Sequence, residues 1–297
     1  MELRHLEYFV EVVRLGGFTA AARSLGTTQP TVSKALSLLE HECGVRLLDR
    51  LTDGVKVTDV GQMVLRRATA MLAERDYLQA EIAEHKGLIT GRLRLGLPIL
   101  GSGVLFARLV AAYRQRYPGI EIDLHEQGSR HLEDLLRSGQ IEMGATLYPV
   151  PTDFEWEEVI DEPMLALLPR GHPLEGRKTV KFDELVASPF IAFEQGFVLN
   201  TILAKACRAR NVDLNIAARG GHADFIIALV ATGLGVSLLP RLEVESRGQL
   251  SVATALIDEQ DLRWRLGLMW RRSVSLSPAA ARWLSLVKES SLAPAES

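Results

Sequence analysis

The stretch FTAAARSLGTTQPTVSKALSLLE, residues 18–40, carries two short helical patterns joined by a Gly-Thr-Thr elbow. Ala20, Ala21 and Ala22 are small enough to let a crossing helix approach closely, and Gly26 can take the backbone turn between the two. Thr27 or Thr28 offers a hydroxyl cap, and Pro30 sits where a first helical turn tolerates it. Val32, Leu36 and Leu39 fall on the inward face of the second helix. Thr28 at the cap and Gln29, Thr31, Ser33, Lys34 and Ser37 therefore point elsewhere. Such a face suits a DNA major groove. Its side chains pair with base edges or phosphate oxygens, and the amides at the helix N-terminus favour phosphate. A helical hairpin with a solvated polar face carries the same pattern.

Working outward, the chain reads as three zones. In residues 1–58, Leu3, Leu6, Phe9 and Val10 repeat at helical spacing up to the Gly16–Gly17 break. Short helices are expected over 18–25 and over Gln29–Cys43, then a small hairpin turning at Asp53–Gly54. Residues 59–87 form one long helical pattern without an internal proline. Val64, Ala68, Met71, Leu78 and Ile82, spaced 4, 3, 7 and 4, mark a heptad-like seam. The seam packs either on its own domain or on the same helix of a second subunit. From Gly91 onward, helix-length segments alternate with short strands, the pattern of an open parallel α/β sheet in two sets.

At 297 residues with 47% hydrophobic content, the chain favours two or more well-cored domains over disorder. Cys43 and Cys207 form no CxxC-type pair, so neither a disulfide framework nor a metal site is expected. The start MELRHLEYFV carries charges among its apolar residues and is not a signal peptide, and no apolar run reaches the length of a bilayer span. A soluble, cytoplasmic protein with no membrane partner is the expectation. Net charge of -3 gives no general attraction to nucleic acid. A basic footprint must come from clustering of Lys34, Arg46, Arg50 and Lys56, with Arg66 and Arg67 nearby.

Residues 18–50, FTAAARSLGTTQPTVSKALSLLEHECGVRLLDR, resemble the winged helix-turn-helix of LysR-type transcriptional regulators. The matching features are the Ala-Ala pair, Gln29-Pro30, Val32-Ser33, Leu39-Glu40, Gly44, Leu47 and Arg50, followed by a wing and VTDVG. The resemblance extends over the whole chain and implies its fold class: α/β, with an N-terminal winged helix-turn-helix over 1–58, a linker helix over 59–87 and a two-lobed periplasmic-binding-protein-like effector domain over 88–297. Lobe I would span about 91–161 and 266–297, and lobe II about 162–265. The implied partners are double-stranded promoter DNA, a small-molecule effector and the chain itself. It would dimerise through 59–87 and tetramerise through the sensing domains. Thr28, Gln29, Thr31, Ser33, Lys34, Ser37, Arg50 and Lys56 are the expected DNA contacts.

In a two-lobed α/β fold the ligand sits near the carboxyl ends of strands, where helix N-termini converge and favour small anions, a metabolite carboxylate first among them. Four such junctions fall at 99–102, at Ser129, at 197–199 and around His222–Asp224, and the candidate contacts beside them include Gly101, Ser102, Thr146, Gln195 and His222. The resemblance assigns effector contact to Leu100, Ser129, Phe197 and Val198. Ser129 serves equally as a helix cap, Phe197 as core and His222 as a solvated rim residue. No cofactor, metal or catalytic residue is expected: GxGxxG after a strand, a Walker loop, GxSxG, HExxH and clustered Cys/His ligands are all absent. An enzyme and a sensor that has lost DNA binding are the rival functions.

Overall fold

A computed structural model describes residues 1–51, 54–86, 89–272 and 274–290. The chain divides into two compact units, Met1–Gly91 with Asp134–Ile141, and Arg92–Glu133 with Glu142–Ser297.

In the first unit, α1 (Leu3–Leu15) buries Leu6, Phe9 and Val12 and stops at Gly16, whose φ of 71° is the left-handed cap. Then α2 (Phe18–Ser24) contributes Ala21 and Ala22 to the core, and α3 (Gln29–Cys43) contributes Val32, Ala35, Leu36 and Leu39. The expected hydroxyl cap is absent. Thr28 sits at the N-cap of α3, but its Oγ1 pairs with Thr31 Oγ1 at 2.8 Å. Strands β1 (Leu48–Leu51) and β2 (Gly54–Val57) pair antiparallel as the expected hairpin; Thr52 and Asp53 of its turn lie outside the described residues.

The long helix α4 (Asp59–His85) is capped by Thr58, whose Oγ1 accepts from the Gly61 amide at 2.9 Å and donates to Arg46 O. Its seam is divided into two halves. Ala68 is buried with α1–α3 and Val64 packs against the same core, while Met71, Leu78 and Ile82 are 47–57% exposed.

Beyond α4 the chain runs through β3 (Gly91–Pro98), α5 (Ser102–Arg116), β4 (Ile120–Gln127), α6 (Ser129–Ser138) and β5 (Met143–Leu147). There follow β6 (Phe154–Leu168), β7 (Thr179–Val180), α7 (Phe182–Leu185), β8 (Phe190–Phe193), α8 (Val198–Arg210), β9 (Ile216–Gly220) and α9 (Ala223–Ala231). The chain closes through β10 (Ser237–Pro240), α10 (Arg241–Glu245), β11 (Ala253–Ile257), β12 (Arg263–Arg271) and α11 (Pro278–Glu289).

The sheet is mixed rather than open parallel. Its order is β4-β3-β5-β12-β6-β11-β7, with β10 also on β6 and a separate β8-β9 pair. Parallel pairing holds for β3–β5, β11–β7 and β8–β9, whereas β12 runs antiparallel to both β5 and β6. The organising strand is β6. Phe154 to Pro163 pair with β12, and Met164 to Leu168 pair with β10 and β11, so one strand serves two sheet halves. Behind the first half, α5 and α11 bring Tyr113 and Trp283 edge to face at 5.5 Å, and the Tyr113 hydroxyl donates to Ala279 O at 2.7 Å. Burial pushes the Tyr113 phenol well above its usual range. No helix among the described residues is long and apolar enough to cross a membrane.

Candidate functional site

Two surfaces carry the sequence candidates. On α3, the buried Val32, Ala35, Leu36 and Leu39 fix the helix against α1 and α2, which turns Thr28, Gln29, Thr31, Lys34 and Ser37 to solvent. Ser33 is half-buried. Lys56 is exposed on β2, and the side chain of Arg50 lies outside the described residues. The hairpin is tied to α3 by Glu40, whose Oε1 accepts the amides of Leu47 at 2.7 Å and Leu48 at 3.2 Å. A recognition-type helix and its adjacent hairpin are thus held as one piece, with polar side chains outward.

The second surface is a narrow cavity at the ends of β3, β4 and β5. Three chain turns wall it: Pro98 to Leu100 before α5, Gln127 to Ser129 at the start of α6, and Phe197 to Leu199 at the start of α8. Leu147, Trp264 and Leu266 close the floor. Its volume of about 20 Å³ holds about one water. The walls are apolar apart from Ser129, 6% exposed, and Gln127. Phe197 caps α8 without a side-chain cap bond and stacks on Phe193 with ring centres 4.9 Å apart. Asn200 donates to the carbonyls of Phe193 and Glu194 at 3.0 and 2.7 Å, which fixes the loop leading into α8.

Leu100, Ser129, Phe197 and Val198 therefore come together, and five other candidates do not line the cavity. Gly101 caps α5 with φ 94°, but its amide donates to Glu243 Oε1 at 2.6 Å. The Ser102 hydroxyl donates back to Pro98 O and is spent within its own turn. Strand alternation sends Leu147 to the cavity and Thr146 to the opposite face, where its buried Oγ1 has no partner among the described residues. Gln195 is exposed, and His222 is exposed at the N-cap of α9 with no side-chain cap bond. Sequence reasoning missed Trp264 and Leu266 on β12, and Glu243, whose partner is 142 residues away. Among the described residues no group of His, Cys, Asp and Glu could hold a metal ion.

Residues 3–62 match the model of the bacterial regulatory helix-turn-helix protein, lysR family, and residues 86–291 match the LysR substrate binding domain. The chain belongs to the LysR family. It is 31% identical over 290 residues to the HTH-type transcriptional regulator YwbI of Bacillus subtilis (strain 168), covering 97% of this chain and 96% of YwbI. A second relative is the probable hydrogen peroxide-inducible genes activator of Mycobacterium leprae (strain TN), 34% identical over 253 residues, 84% of this chain and 81% of that protein. The fold is shared with a full-length OxyR variant from Pseudomonas aeruginosa at a TM-score of 0.82 and 22% identity, covering 100% of this chain and 99% of that one. As a LysR-type protein the chain is a DNA-binding transcriptional regulator with an effector-binding domain, and not an enzyme.

Proposed function

We propose that this LysR-type regulator reads promoter DNA with α3, dimerises through the exposed half of the α4 seam, and responds to a small carboxylate with an apolar body. The assignment of the cavity in the second unit to the effector rests on one observation. The N-termini of α6 and α8, with Ser129 and the uncapped Phe197–Val198 turn, border a space whose other walls are Leu100, Leu147, Trp264 and Leu266. Helix N-termini favour an anionic head, and the apolar walls favour a hydrocarbon or aryl body. Cytoplasmic residence and assembly of dimers into tetramers belong to the same reading.

Titration of a panel of small carboxylates and matched amides against the full-length protein by calorimetry tests the effector class; binding restricted to neutral or cationic compounds would overturn it. On DNA, Gln29→Ala should cost about 1–3 kcal/mol of discrimination at one base pair. Lys34→Ala should weaken all sequences alike and lower the salt slope by about 1. Anisotropy titrations over a salt series on the promoter upstream of the protein's own gene distinguish the two patterns. Loss of ligand binding in either variant would point to misfolding instead.

A second reading, a response to peroxide, comes from the Mycobacterium leprae relative, a probable hydrogen peroxide-inducible genes activator. Here Cys207 is buried, which pushes its thiol up and away from the reactive thiolate, and Cys43 lies in the other unit. Peroxide is expected to leave promoter affinity unchanged.

A further inference from the structure

Glu243 is 4% exposed, on the five-residue helix α10, and is not among the residues that line the cavity behind Ser129. A carboxylate so buried is retained only where it is paired and hydrogen-bonded. Its two oxygens are both engaged. Oε1 accepts the Gly101 amide at 2.6 Å, and Oε2 accepts Arg247 Nη1. Arg247 in turn donates through Nε to Asp224 at 2.7 Å on α9, which is open to solvent. On the other side, Arg241 of the same short helix holds Glu162 of β6 at 3.2 Å, close to where β6 passes from its β12 pairing to its β10 pairing.

Gly101 is the N-cap of α5, with no side-chain cap bond of its own. Its left-handed φ and the Trp264 ring, 2.4 Å from where a β-carbon would lie, exclude any other residue there. Trp264 is also a wall of the cavity. Glu243 thus stands at the start of α5 as a free anion would, with its carboxylate on the amide of the N-cap residue. It connects α10, on the second half of the sheet, to α5, on the first.

We propose that Glu243 is an internal stand-in for an effector carboxylate. It occupies the Gly101 amide at the α5 N-terminus and ties the two sheet halves together. It thereby confines the acidic group of an effector to the α6 and α8 termini, at Ser129 and Val198. The confinement rests on the effector reading given above; the occupation of α5 does not.

The test is amide hydrogen exchange on the full-length protein, wild type against Glu243→Ala, each with and without acetate, the fragment that the truncation removes. In the variant, exchange across residues 99–105 should quicken about tenfold or more, the worth of a charge-assisted bond. Millimolar acetate should slow it again in the variant and change nothing in wild type. Exchange equal to wild type, or a rise that acetate does not reverse, overturns the proposal. Should Glu243→Ala fail to fold, Glu243→Gln decides, since it keeps the shape and loses the charge: faster exchange at Gly101 supports the proposal, and a curve superimposed on wild type overturns it. Benzoate separates the two claims. It should slow exchange around Ser129 and Val198 in both proteins and around Gly101 only in Glu243→Ala. Slowing at Gly101 in wild type refutes the confinement, whereas no benzoate effect anywhere counts against the effector reading and leaves the acetate result to decide for Glu243.

Discussion

A β-carbon at position 61 would lie 2.1 Å from the Leu47 carbonyl oxygen and 2.9 Å from a Val57 methyl. Neither neighbour can withdraw. Leu47 O accepts the Thr58 amide, and the Leu47 amide is held by Glu40. Gly61→Ala should therefore cost the first unit about 3 kcal/mol, the upper end for overpacking. Urea unfolding would show its midpoint falling while the α/β unit keeps its own; coincident, unshifted transitions would remove the argument. Position 61 also shows what the sequence hides. Helical periodicity placed α4 from residue 59, but nothing local announces that a carbonyl from residue 47 passes over its first turn. Ser102 misled in the opposite direction. A hydroxyl at a strand-to-helix junction reads as a donor to a ligand, yet the carbonyl four residues back, Pro98 O, takes it first.

Elements were legible where periodicity survives and obscure where ion pairs replace it. Gln29–Cys43 has the limits expected from its apolar spacing. By contrast, the first ten residues of β6, FEWEEVIDEP, look like loop because Glu155, Glu158 and Asp161 interrupt any apolar alternation. Those charges are paired across strands or at their ends: Arg263 with Asp161 at 2.6 Å, Arg265 with Glu158 at 2.7 Å and Arg272 with Glu155 at 2.7 Å. The antiparallel sense of β12 follows from this hidden strand, which is why a parallel sheet was the wrong expectation. In α4 the seam expected from heptad spacing is divided. Leu78→Lys with Ile82→Lys sets like charges in the exposed half, so sedimentation velocity should show an assembly smaller than that of wild type; an unshifted boundary would place the dimer contact elsewhere. The Arg210 fork on α8 grips Asp261 through two bonds, 2.7 and 2.9 Å, and holds its carboxyl below the usual range. A depressed carboxylate contributes stability above its unfolded pKa, about 4, and loses it as pH falls through the folded value. Because the pair is partly exposed and screened, Asp261→Asn should lower Tm at pH 7 by only about 2–3 °C. The gap should close toward pH 3, and a gap of constant size would mean that the pair contributes through packing instead of charge.

At the scale of the whole molecule, the proposed function requires that two separate surfaces, α3 and the cavity behind Ser129, bias one equilibrium. Coupling of this kind is reciprocal. If an effector changes promoter affinity by a factor, typically about 5–150, the promoter changes effector affinity by the same factor. The cavity gives this a physical form. About 20 Å³ is far below the roughly 300 Å³ or more of a metabolite pocket, so under the proposed reading an effector has to part the turns before α5, α6 and α8. The work of parting them is where differential affinity between two arrangements arises. Among the described residues Ser129 is the one hydroxyl on those walls, and its truncation removes a donor. Ser129→Ala should therefore weaken the carboxylate selected by calorimetry about tenfold, as expected for a hydrogen bond to a charged group. Promoter affinity without effector should stay unchanged, because the intrinsic equilibrium between arrangements is not touched. The decisive measurement is a pair of titrations, effector with and without promoter duplex and promoter with and without effector, on wild type and on Ser129→Ala. Equal coupling factors from both directions in wild type, with the variant's effector curve displaced but its coupling factor intact, are expected of an effector site. Loss of the coupling factor at unchanged effector affinity would make Ser129 part of the transmission and place the anionic head at Val198 alone.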